Sequence, residues 1–516
     1  MSSVLAVAPA VQAAAVLASA GAAAAVLVLR DPRLRAAAML AALALSAAAV
    51  ATLGSGSLSG RVAAVAAAGG AGLVAVALLA ALLYRRPHLL GLLALGAIPF
   101  RVPLSLGDET ASLLVPLYGV IAAGALAQAA RWLRRDTGQD AVEVAEAERP
   151  RLLRWPLLAL AGYVLLYAIQ ALYSTDLPVA LKNVCLFYAP FAVLMALLLD
   201  MDWTPARLRA GFWLVCGLAL VFALVGFYEY ATGHLLLANA KVQEANDLKP
   251  YFRVNSLFFD PNIYGRFLAL TMIALAATLL WSKRRQTVLL VAVALVVLWA
   301  GLVLSLSQSS FAALLGGLAI LAGLRWSPWP VAGVVAAATA AAVAVVLLAP
   351  GSIEVDTRSE TALDRATSGR FDLVRGGLSM ARDRPVWGFG SGSFAERYRE
   401  REGVTSELVA AVSHTIPLTV AAEQGIVGLT AYLALMAAAL ALVFAGLRAR
   451  LRGDPGIADV AAAATAAAFC ALVLHTLVYA AFLEDPLSWT LLAIAAVLGR
   501  TTVPAAERGR FVSTPS

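Results

Sequence analysis

The chain has 516 residues, 61% hydrophobic and 14% charged, with mean hydropathy +0.84 and net charge +8. A water-soluble domain is about 45–50% apolar and about 25% charged, and single cores stop growing near about 250–300 residues. This composition excludes a soluble globular protein. The basic residues sit in short loops between apolar runs, where they fix membrane orientation, so the charge does not indicate nucleic-acid binding.

A membrane-spanning helix needs about 20 mainly apolar residues, and about fifteen runs qualify. They lie near 9–29, 36–53, 62–83, 89–106, 111–130, 156–173, 184–200, 212–230, 263–281, 287–304, 309–324, 329–349, 425–447, 457–480 and 487–500. The fourth and the last are short or interrupted by proline. No basic residue precedes Arg30, which argues for a retained first span over a cleaved signal peptide. The expected fold is an all-α polytopic membrane protein. Residues 1–88 supply about three N-terminal transmembrane helices, and about 12 core helices follow. The core divides into 89–349, an extracytoplasmic loop domain at 350–424 and the last spans at 425–500, with a cytoplasmic tail at 501–516.

Arginine and lysine are richest in the loops after odd-numbered spans. Examples are Arg30, Arg33 and Arg35, then Arg85 and Arg86, then Lys283, Arg284 and Arg285. That alternation assigns those loops to the cytoplasm. The two long polar segments, 231–262 and 350–424, then share the outer face. The second is the longest polar break in the chain and has its own pattern. Residues 372–382 have the periodicity of a helix stopped by Pro385. Residues 388–394 form a glycine-rich turn, and 394–402 a short charged helix. Residues 413–423 form a surface helix ahead of the next span.

Few residues can carry chemistry. There are four histidines. His414 ends the long loop, where a neutral imidazole could accept a proton from a hydroxyl or act only as a polar anchor. His475 lies inside span fourteen. Arg253 and Arg266 flank Asp260-Pro261-Asn262-Ile263-Tyr264. Arg266 falls within the start of a span, which marks a functional site unless the side chain snorkels to the interface. Arg370 precedes the first loop helix, and guanidinium forks match phosphate oxygens. Glu423 could pair with an arginine or orient His414. Ser305, Ser307, Gln308, Ser309 and Ser310 form a polar knot that lines a cavity or turns the chain. Asp485-Pro486 reads as an outer turn, and Arg101 ends span four. The cysteines, Cys185, Cys216 and Cys470, lie in apolar runs without metal-ligand spacing. No phosphate loop, nucleophile elbow or metal motif is present.

Three patches together carry a resemblance. They are Arg253 through Arg266; Ser368-Gly369-Arg370 with Pro385-x-x-Gly388-x-Gly390-x-Gly392-x-Phe394; and His414-Thr-Ile-Pro-Leu418 with Glu423-x-Gly425-x-x-Gly428. In order, face and place against the spans they resemble the O-antigen ligase and O-antigen polymerase superfamily. Thr415 stands where that family usually has Asn, and Ser307-Gln308-Ser309 where it often has Ser-Arg-Gly. The resemblance implies a metal-independent glycosyltransferase, without cofactor, in the bacterial cytoplasmic membrane with a periplasmic active face. Its donor would be a glycan on a polyprenyl diphosphate and its acceptor a glycan, lipid or protein. It implies His414 as catalytic base and Arg253, Arg266 and Arg370 as diphosphate ligands, with Glu423, Asn262 and Tyr264 as possible supports. The alternatives are a polymerase joining lipid-linked repeats and, in another class, a multispan transporter. The latter often shows duplicated halves, and none is visible here.

Overall fold

A computed structural model describes residues 2–54, 62–106, 109–134, 151–237, 240–248, 251–336, 370–403, 415–477, 479 and 481–500. The chain is a polytopic helical membrane protein. Ten helices among the described residues are long and apolar enough to cross a bilayer, and Gly70–Arg85 and Pro486–Gly499 are shorter apolar helices. Spans one to three are α1 (Ser2–Val28), α2 (Pro32–Gly54) and α3 (Val62–Arg85).

The segments read as spans four and five have a different form. They comprise α4 (Leu89–Ala97), an antiparallel hairpin of β1 (Val102–Leu106) and β2 (Glu109–Leu113), and α5 (Val115–Arg134). Pro99 and Pro103 lack the N–H that would continue α4 as a full span.

Next come α6 (Arg151–Ala171), α7 (Leu177–Leu199, with a π-helical turn at Asn183–Tyr188) and α8 (Pro205–Thr232). The short α9 (Ala240–Leu248) leads to α10 (Pro261–Trp281), α11 (Arg285–Ser305) and α12 (Gln308–Arg325). The described part of the long loop holds α13 (Arg370–Asp383) and α14 (Phe394–Glu402), close to the periodicity of the sequence. The chain ends with α15 (Ile416–Phe444), α16 (Leu447–Arg450), α17 (Ile457–Thr476) and α18 (Pro486–Arg500).

Burial separates centre from rim. In α7 78% of the apolar window is buried and in α10 67%, against 28% in α11. The central pair is therefore α7 and α10, while α11 turns Leu289, Val293 and Val296 outward, as a lipid-facing helix does. The first helices are built into this body: α1 packs on α6 and α7. Buried Arg35 of α2 binds Asp200 after α7 at 2.9 Å and also donates to the carbonyls of Val26 and Ala196. At the same end Gln128 donates to Asp200, and Arg131 to the carbonyl of Tyr84. These bonds gather the loops after spans one, three, five and seven on one face.

Candidate functional site

The opposite face gathers described parts of the two polar segments singled out in the sequence. Asp260 caps α10: its carboxylate accepts from Asn262 N at 2.6 Å, and Pro261 occupies the first turn. This cap sets Asn262 against the serine knot. Leu306, at φ 50°, ends α11 in the left-handed conformation, and Ser307 caps α12. The knot therefore both turns the chain and lines a site. Ser307 Oγ donates to Asn262 Oδ1 at 2.9 Å and lies 2.8 Å from Ser310 Oγ. Ser309 Oγ is 3.1 Å from His475 Nε2, joining α12 to α17. Arg253 Nε donates to the Ser305 carbonyl at 3.1 Å, and its Nη2 reaches Asn262 Oδ1. Arg253, Asn262, Ser307, Ser309 and His475 are thus linked by successive side-chain contacts.

Arg266 lies one turn further into α10. Its side chain is 2% exposed and forms an ion pair with Asp485, itself 3% exposed. Among the described residues its Nε and Nη1 have no hydrogen-bond partner. A buried guanidinium with vacant donors is costly, because each unmade bond forfeits the desolvation of that group. Arg101, just before β1, adds a second guanidinium within electrostatic reach of Asp485, Arg266 and Tyr479. Burial pulls Arg101 below its ordinary value; the Asp485 carboxylate opposes that shift and Arg266 adds to it. Tyr479 Oη donates to Asp260 Oδ2 at 2.9 Å, and burial beside that carboxylate keeps the phenol protonated. His475 is fully buried and packs on the Tyr479 ring at 5.4 Å.

The segment that bears Arg253 is fixed from below by Glu229 of α8. This carboxylate is fully buried and accepts from the backbone N–H groups of Leu236, Asn255 and Ser256 at 2.8, 3.1 and 2.7 Å. Tyr264 points the other way. Its ring fills the space left by Gly226 and Gly301 between α8 and α11, so it packs the core and does not join the arginines.

Glu423 lies in a second buried unit. Its oxygens accept from the Gly392 and Phe394 N–H groups at 2.8 and 3.1 Å. The loop at 385–394 here lies against a break in α15 at Gly425 (φ 63°, ψ −163°). Ile426 N donates to the Pro385 carbonyl at 2.8 Å, and Gly390 N to the Glu423 carbonyl at 2.8 Å. A Cβ on Gly388 would strike the Glu423 carbonyl, and one on Gly425 would strike the Val386 carbonyl. The glycines of two of the sequence patches are thus halves of one interlock. Glu423 clamps the loop, with no arginine on it among the described residues.

His414 lies outside the described residues, and Arg370 opens α13 with its side chain outside them. Thr415, next to His414, donates from Oγ1 to the Leu477 carbonyl at 3.2 Å. Leu477 lies between His475 and Tyr479, so Thr415 is anchored at a turn within electrostatic reach of Arg266.

Sequence reasoning singled out Arg253, Asn262 and Arg266; the structure joins Arg253 to Asn262, and Arg266 lies one turn further along α10. It did not assign Arg101, Asp485, Tyr479, Asp260 or His475 to the site. The signal for His475 was an imidazole inside a span; its partner Ser309 is 166 residues away, and no local pattern joins the two.

No curated protein matches the chain. Residues 293–433 match a family model described as O-antigen ligase. That stretch runs from α11 through the outer loop and its interlock into α15, and it includes two of the three patches. Over that stretch the chain is therefore similar to the O-antigen ligase family.

Proposed function

We propose that the protein transfers a glycan from a polyprenyl diphosphate to an acceptor hydroxyl at the membrane face bearing Arg266. The observation that supports it most is the Arg266 guanidinium, buried with two nitrogens vacant and Arg101 close by. Such a pair is suited to a diphosphate, whose charge grows as it leaves. In this reading Arg253, bonded to Asn262 on the same helix as Arg266, and Arg370 from the loop complete the diphosphate site. The acceptor oxygen attacks the anomeric carbon, the bond from that carbon to the diphosphate breaks, and the acceptor proton passes to His414. The anchoring of Thr415 at the 475–479 turn supports that role for His414.

Purified protein in detergent, given a polyprenyl diphosphate-linked glycan and acceptor, tests the reading. His414→Ala is expected to lower transfer by about 10²–10⁴-fold, the usual share of general base catalysis, with the melting temperature unchanged. Wild-type rates in both His414→Ala and Arg266→Gln would overturn it.

A further inference from the structure

A second cavity, of about 710 Å³, lies in the membrane body between α8, α10, α17 and α18. Along α10 its wall runs from Phe267 to Trp281, about 21 Å at 1.5 Å per residue. The hydrocarbon core of a bilayer is about 30 Å thick, so the groove crosses about two thirds of it. Apart from a few threonines its middle is lined by aliphatic and aromatic side chains. One end lies at Phe267 and Leu487, close in sequence to Arg266 and Asp485. The other opens on the opposite face, where Arg209 and Arg284 line it and both are exposed.

That open end is electropositive for identifiable reasons. Among the described residues neither Arg209 nor Arg284 meets an acidic side chain. Two acids of this end are already taken: Asp454 by Lys283 at 2.7 Å and Asp459 by Arg450 at 2.9 Å. The helix α11 also starts here, and its N-cap residue, Arg284, supplies no side-chain cap. The first N–H groups of a 21-residue helix thus add their partial positive charge.

We propose that this groove is a binding site for an anionic phospholipid. An acyl chain enters from the face opposite Arg266 and fills the groove. The phosphate headgroup meets Arg209, Arg284 and the start of α11. Guanidinium forks and helix N-termini both favour phosphate oxygens, and an apolar groove favours the chain. The tail of a polyprenyl donor would descend from the Arg266 end and would leave Arg209 and Arg284 without a ligand. The proposal stands apart from the glycan-transfer reading, because the lipid need not react.

The test uses the full chain, delipidated in detergent and titrated with phosphatidylglycerol or phosphatidylcholine, followed by native mass spectrometry and thermal unfolding. Phosphatidylglycerol is expected to bind about tenfold more tightly, a difference of about 1.4 kcal/mol, and to raise the melting temperature. The double variant Arg209→Gln/Arg284→Gln, at exposed positions, should erase that preference while keeping the lipid-free melting temperature. Ala464→Trp, which fills the groove, should weaken retention of both lipids. Equal binding of the two lipids by the wild type, or a preference that survives the double variant, overturns the proposal. So does undecaprenyl phosphate that displaces phosphatidylglycerol and still binds the double variant fully, because the groove would then hold the donor tail.

Discussion

Two buried charges in this protein are treated in opposite ways. Glu423 has both oxygens occupied by backbone N–H groups of a loop that fits it closely. Arg266 is just as enclosed, yet among the described residues only one of its nitrogens meets a partner, Asp485. A saturated buried charge holds structure together. One with spare donors retains binding capacity at a cost to stability, and such sites tend to be functional. On the proposed reading the interlock at 385–394 and 422–427 is scaffold, and the Arg101–Arg266–Asp485 cluster is where the donor's charge would sit.

Substitutions can break that distinction. The largest effect is expected from Gly425→Val. A side chain there costs about 1–2 kcal/mol for the left-handed backbone alone, and its Cβ must displace the Val386 carbonyl. Little monodisperse protein should survive solubilisation, as read by size-exclusion chromatography; normal yield would show that the interlock is slack. Arg266→Gln is expected next. It strands Asp485, at about 3–5 kcal/mol of stability for a broken buried pair. Adding Asp485→Asn should restore the melting temperature but leave transfer down by at least about 10²-fold, the effect of losing one charge-stabilising donor. Recovery of both stability and transfer in the double variant would make the pair structural. Glu423→Gln should be mildest. The amide keeps one acceptor but turns an NH₂ toward an N–H, costing about 1–3 kcal/mol, with transfer by the folded fraction unchanged. A selective loss of transfer would move Glu423 from scaffold to site.

How much was legible in the sequence follows from the range of each interaction. The loop helices were legible because 3.6-residue periodicity and Pro385 act locally, and α13 and α14 lie close to where those signals put them. The surface helix before span thirteen was also visible, since its break falls at a glycine. The hairpin at 102–113 was hidden, because an apolar stretch next to a membrane reads as a span whether it is coiled or extended. Arg253 and Arg266 could be paired because a dozen residues of one motif join them. Arg101 and Asp485 could not: Arg101 is a single charge and Asp485 one of the pair Glu484-Asp485, each at the end of an apolar run, and only packing of distant segments makes them neighbours. The Glu229 clamp was invisible for the same reason.

The break at Gly425 has a consequence for biogenesis. At that point α15 gives up its own hydrogen-bond ladder, and amide groups of an earlier segment complete it. Lipid offers no substitute donors or acceptors. The span that follows the loop therefore cannot reach its final form ahead of the loop. Segment 385–394 and α15 take their final form together. Insertion of the helix and folding of the loop are one step, and a chain stalled between them would expose the same backbone groups that the glycines exist to cover.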